Sequence, residues 1–187
     1  MSHPPSKEVS ETGLNRAKEL AEPLYPHQVD GVAFLLARRR SILADDMGLG
    51  KTRQSIVAMH EAEPTGPWLV VCPASVKRNW QREINLVLDM QDVTIVDRKT
   101  PVPDGQYCGW VIVNYDIIKK HFAALTKIPF AGFVFDEAHY LKNHQSQRSK
   151  ASRKLLDEAE LPMVHCLTGT PMMNRPRDLF PLLQLVG

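Results

Sequence analysis

A chain of 187 residues, 43% of them hydrophobic, can build one compact domain with its own core and is too short for two of ordinary size. Its 23 Lys and Arg stand against 21 Asp and Glu, so the net charge of +2 alone singles out no polyanionic partner. The polar start, MSHPPSKEVSETG, and the lack of any run of about 18 apolar residues argue against a secretory leader or a membrane span. They set the expectation of a soluble protein without a membrane partner, cytoplasmic or nucleoid-associated, or nuclear in a eukaryote. Cys72, Cys108 and Cys166 form neither a CxxC pair nor a Cys/His cluster of zinc spacing. They are expected to be small apolar residues in or beside strands, with no structural zinc.

In chain order, residues 1–22 form a polar leader in which Leu14–Ala21 has the makings of a short helix, and the domain is expected over 23–187. Pro26 suits a first helical position before a helix over 27–38, whose Val29, Val32, Ala33 and Leu36 share one face. The apolar runs SILAD (41–45), WLVVC (68–72), VTIV (93–96), WVIVN (110–114), GFVFD (132–136) and MVHCL (163–167) read as strands. They are continuously hydrophobic instead of alternating, the mark of strands buried on both faces. Between them, helices are expected at 51–61, stopped by Pro64 and Gly66, and at 76–88, 115–126, 146–158 and 176–186. PVPDGQ (101–106) is a surface loop. This alternation predicts an α/β fold, a mostly parallel sheet with helices on both faces. The abrupt end after an apolar helix gives the expectation of a fragment of a longer protein.

Two segments carry chemistry. Ala44-Asp45-Asp46-Met47-Gly48-Leu49-Gly50-Lys51-Thr52 sits between a strand and a helix, where glycines let successive backbone N–H groups face one anion and the helix adds its positive end. Lys51 supplies a mobile charge for β and γ phosphates, and the Thr52 hydroxyl suits Mg²⁺. The common phosphate-loop pattern has a glycine where Asp45 stands, a departure that points to a subclass with a different loop entry. The strand Gly132-Phe133-Val134-Phe135 ends in Asp136 and Glu137, and ligands of open α/β sheets gather at such carboxyl ends. Asp136 is assigned to the metal and Glu137 to the attacking water. The alternative for both acids is to cap the following helix.

Asp136-Glu137-Ala138-His139 spells the DEAH box of helicase superfamily two. With Asp45–Thr52 upstream and Leu167-Thr168-Gly169-Thr170-Pro171 downstream, the chain resembles the Swi/Snf-type ATPases from about Leu24 to Gly187. That resemblance implies a RecA-like domain using ATP and Mg²⁺, with His139 part of the nucleotide site. It implies that Gln28, in Leu24-Tyr25-Pro26-His27-Gln28, reads the adenine edge with Tyr25 stacking nearby; a glutamine amide both donates and accepts, as that edge requires.

By the same resemblance, Pro73, Ala74, Ser75 and Lys77 line a nucleic-acid strand, Asn114 and Tyr115 form a second such turn, and Thr168 and Thr170 link γ-phosphate status to the nucleic acid. Trp80 is expected to anchor its helix against the sheet instead of stacking on bases. The cations Lys142, Arg148, Lys150, Arg153 and Lys154 are taken as a solvated helix face. The implied function is translocation on double-stranded DNA, with a strand-separating helicase or a nucleotide-dependent binding module as alternatives. A second RecA-like domain, absent from this sequence, is the implied partner that supplies arginines, so slow turnover is expected of this chain alone.

Overall fold

The computed structural model describes residues 24–89, 91–160, 162–169 and 179–187. The expected leader and its short helix, Thr170, Pro171 and the first turn of the expected last helix lie outside them.

Six strands form one sheet: β1 (Arg40–Leu43), β2 (Trp68–Cys72), β3 (Val93–Ile95), β4 (Trp110–Asn114), β5 (Gly132–Phe135) and β6 (Met163–Leu167). Their order is β1-β6-β5-β2-β4-β3, and every pairing is parallel. The helices are α1 (Pro26–Ala37), α2 (Lys51–Ala62), α3 (Lys77–Val87), α4 (Ile118–Leu125), α5 (Gln147–Asp157) and α6 (Phe180–Val186). Most lie within a residue or two of their sequence positions. The exception is α4, whose expected first turn is a separate 3₁₀ turn over Tyr115–Ile117; similar turns cover Ala74–Val76 and Ala138–Leu141.

The period of two along each strand sends alternate side chains to opposite faces. Trp68, Val70 and Cys72 of β2 pack with Val32 and Leu35 of α1, Ile56 and Met59 of α2 and Trp80 and Ile84 of α3. Leu69 and Val71 face the other way, toward Ile118 and Leu125 of α4, Leu155 of α5 and Leu182 and Leu185 of α6. Two apolar layers therefore sandwich the sheet, and β2, β4, β5 and β6 are buried along their whole length. Each Val, Leu, Ile or Phe taken fully from water contributes about 1.5–3 kcal/mol, which is how a short chain holds a six-stranded sheet. Cys72 and Cys166 are buried in their strands, while Cys108 is exposed. No helix among the described residues is long and apolar enough to cross a membrane.

Candidate nucleotide and metal site

The loop after β1 turns through Gly48 and Gly50, both in the left-handed region at φ 87° and 76°. A side chain at Gly50 would be strained there, and its Cβ would collide with Gln28 Nε2. Gly50 caps α2, so Lys51 and Thr52 open the helix and its first amides face the loop. Lys51 Nζ donates to the carbonyls of Asp45 (2.7 Å) and Asp46 (2.8 Å). Asp45 serves the loop through its main chain, and its φ is not in the left-handed region. That is why an aspartate stands without strain where the common pattern has glycine.

Two glutamine amides converge on one carbonyl: Gln28 Nε2 (3.2 Å) and Gln54 Nε2 (3.1 Å) both donate to Leu49 O. Gln28 Oε1 also accepts from the Tyr25 amide at 3.0 Å, closing the start of α1 onto the loop. One N–H of Gln28 and a second lone pair on its oxygen remain for a base edge. Tyr25 is exposed and stacked on His27. Gln54, fully buried, was not singled out from the sequence; its polar side chain in register with the apolar face of α2 is the signal that marks it.

Asp136 N donates to Val71 O at 2.8 Å, the rung beyond the end of β5. Its carboxylate is held twice: Oδ1 accepts from Glu137 N (2.9 Å) and Oδ2 from Trp80 Nε1 (2.8 Å). Burial pushes the Asp136 carboxyl above its ordinary pKa and the Glu137 charge adds to this, while the Trp80 and Glu137 N–H groups and Lys51 oppose it. Glu137 adopts φ 49°, ψ 51°, the only non-glycine positive φ among the described residues, a strain of roughly 1–3 kcal/mol at the residue assigned to water. Its Oε2 lies 3.1 Å from His139 Nδ1. Gln28, Gly50, Lys51, Thr52, Asp136 and Glu137, from the two ends of the sequence pattern, line one pocket of about 440 Å³ that also takes in Met47 and Gly48.

The turns assigned to nucleic acid are less uniform. Ala74 and Ser75 are exposed and Pro73 half-buried, beside a groove of about 600 Å³. Lys77 points inward, its Nζ donating to Val96 O (3.0 Å) and Asn114 Oδ1 (3.1 Å), and the exposed cation there is Arg78. Asn114 and Tyr115 are buried, and the Tyr115 hydroxyl donates to Asp136 O at 2.7 Å. Neither side chain is at the surface. Thr168, 1% exposed, donates its amide to Leu43 O between the ends of β1 and β5. Along the cation run, Arg148 covers the Tyr140 ring, Lys154 covers Phe122 and Arg153 donates to Gln184 Oε1 at 2.6 Å. These three cations pack on the protein's own surface.

The fold and the order of these segments define the amino-terminal, RecA-like lobe of helicase superfamily two. Residues 27–187 match the family model of the SNF2-related domain, and the chain belongs to that family. It is 36% identical over 171 residues to the SWI/SNF-related matrix-associated actin-dependent regulator of chromatin subfamily A-like protein 1 homolog of Caenorhabditis elegans, covering 89% of this chain and 24% of that protein. It is 32% identical over 169 residues to the human DNA annealing helicase and endonuclease ZRANB3, covering 86% of this chain and 16% of that one. A solved structure, the Sulfolobus solfataricus SWI2/SNF2 ATPase core in complex with dsDNA, superposes with a TM-score of 0.76 at 27% identity, over 87% of this chain and 35% of the other. The chain thus spans a quarter or less of the curated relatives it matches.

Proposed function

We propose that this chain is the nucleotide-binding lobe of a DNA-dependent ATPase motor that moves on double-stranded DNA, and that ATP with Mg²⁺ occupies the pocket between the β1–α2 loop and the end of β5. The observation that carries this reading is the convergence of Lys51, Thr52, Asp136 and Glu137 on one pocket although the two pairs lie far apart in sequence.

The loop amides and the amino end of α2 suit the phosphates. Lys51 would exchange its two carbonyl partners for phosphate oxygens, so its charge stays hydrogen-bonded throughout. Thr52 and Asp136, oxygen donors in the lining of the same pocket, fit a hard cation, and magnesium bound there would neutralise charge on the phosphate oxygens. Glu137 orients the water and accepts its proton, with His139 Nδ1 lying 3.1 Å from that carboxylate. Gln28 and Tyr25 take the base. Met47, Leu49 and Asp46 lie on the exposed rim of the loop, where a second lobe would close over the nucleotide. Arginines from such a lobe contribute about 10³–10⁵ in rate in related phosphoryl-transfer enzymes, so this chain binds nucleotide and turns over slowly alone. Ala74 and Ser75, after Pro73, offer backbone N–H groups and a hydroxyl to a phosphate strand, and Thr168 and Thr170 are read as the residues that link γ-phosphate status to that strand.

Titration with a fluorescent ADP analogue tests the site: the wild-type chain binds with Mg²⁺ present and Lys51→Ala does not. Equal binding by both proteins, or motor-like turnover by this chain alone, would contradict the reading. Duplex DNA stimulation of the longer protein tests the motor assignment.

A further inference from the structure

The three tryptophans of the chain share one apolar layer but not one role. Trp68 and Trp110 stack at 4.6 Å between ring centroids, and both bury Nε1 without a hydrogen-bond partner. Trp80 alone puts its indole N–H to use, on Asp136 Oδ2. An apolar anchor for α3 has no need of that bond, since a phenylalanine would fill most of the same volume.

We propose that Trp80 is a positioning residue for magnesium: its indole N–H, fixed by the packing of α3, holds the Asp136 carboxylate in the one orientation in which it serves the metal. This rests on the reading of Asp136 as a magnesium-holding group. Glu137 N takes Oδ1 and Trp80 Nε1 takes Oδ2, so with both donors in place the carboxylate plane cannot rotate without losing a charge-assisted hydrogen bond. Glu137 N belongs to the adjoining residue and moves with Asp136. Trp80 comes from a different element and is 1% exposed, with Ile84 of the same helix fully buried a turn later, so its N–H is a fixed reference for the carboxylate. Partners of this kind, which orient a ligand without touching the metal, commonly alter metal affinity by about 10–100-fold when removed. Trp80 also sits on the helix that follows the Ala74–Val76 turn, so the surface assigned to the nucleic-acid strand is connected to the metal-holding group through one rigid helix.

The test measures fluorescent ADP affinity in the full 187-residue chain with Mg²⁺ and with EDTA, for wild type, Trp80→Phe and Trp110→Phe. Mg²⁺ is expected to tighten binding to the wild type. Trp80→Phe should lose about 10-fold or more of that enhancement while keeping its affinity in EDTA. Trp110→Phe, a buried ring change that breaks no hydrogen bond, should keep the enhancement. Unchanged enhancement in Trp80→Phe overturns the proposal, and so does an equal loss in Trp110→Phe, which would mean general loosening of the layer. A wild type indifferent to Mg²⁺ would bring down the reading of Asp136 itself, a separate result seen in the first arm.

A measurement on the unmutated chain guards against misfolded variants. Of the three indole N–H resonances in a ¹H–¹⁵N spectrum at saturating ADP, one should shift on addition of Mg²⁺ while two stay in place. Three unmoved indole signals also overturn the proposal.

Discussion

The two ends of the sheet are built on opposite terms. At the amino ends of β2 and β4, Trp68 stacks on Trp110, and a Cβ on Gly132 would press on Met59 Sδ: large side chains fill the space closely there. At the opposite edge, the carboxyl ends of β1 and β5 deliver left-handed turns, a half-buried carboxylate with a raised pKa and a glutamate at positive φ. Close packing resides at one end and the proposed chemistry at the other, and the polar, strained end depends on the packed end to hold it in place.

The sharpest way to break that contrast is Glu137→Gln, which leaves the fold's contacts intact. Single-turnover hydrolysis should fall by about 10²–10⁴-fold with nucleotide affinity and thermal midpoint nearly unchanged. A parallel fall in midpoint would show that this end also carries the fold. Next comes Trp68→Ala at the packed end, expected to cost about 3–5 kcal/mol in urea unfolding while nucleotide affinity of the folded fraction stays the same.

A third test concerns a polar intruder in the core, whose effect is negligible at neutral pH and develops only in acid. His165 lies in the middle of β6, its Nδ1 2.8 Å from Ser55 Oγ of α2, and burial pushes its pKa down to about 3 from an ordinary 6.5. In the unfolded chain the ring takes up its proton first as pH falls, so its contribution is complete above about pH 6.5 and is lost toward pH 3. That loss is about 1.4 kcal/mol per pH unit. His165→Gln should flatten the pH dependence of the urea midpoint in that window, and an unaltered slope would show that another group controls it.

Much of this was legible in the sequence. Six continuous apolar runs became six strands because a parallel sheet covered on both faces demands such runs, and the helix stop ahead of Pro64 and Gly66 follows local chemistry. What periodicity could not show was strand order: nothing local says that β6 enters between β1 and β5. For the same reason the Trp80–Asp136 bond was invisible, being a contact between residues 56 positions apart. Lys77 and Tyr115 looked like surface residues in strand-end turns, yet Asn114 and the Asp136 carbonyl draw them inward. A turn motif identifies where the chain bends and says little about which of its side chains turn back.

The insertion of β6 between β1 and β5 also makes the sheet a ruler. Main-chain hydrogen bonding fixes neighbouring strands about 4.8 Å apart, so the ends of β1, which leads into the glycine loop, and of β5, which leads into Asp136, are separated by two such steps, about 9.6 Å at the level of the backbone. Substitutions can change which groups reach across that gap, but its width is written in the ladder and would yield only if a strand were lost.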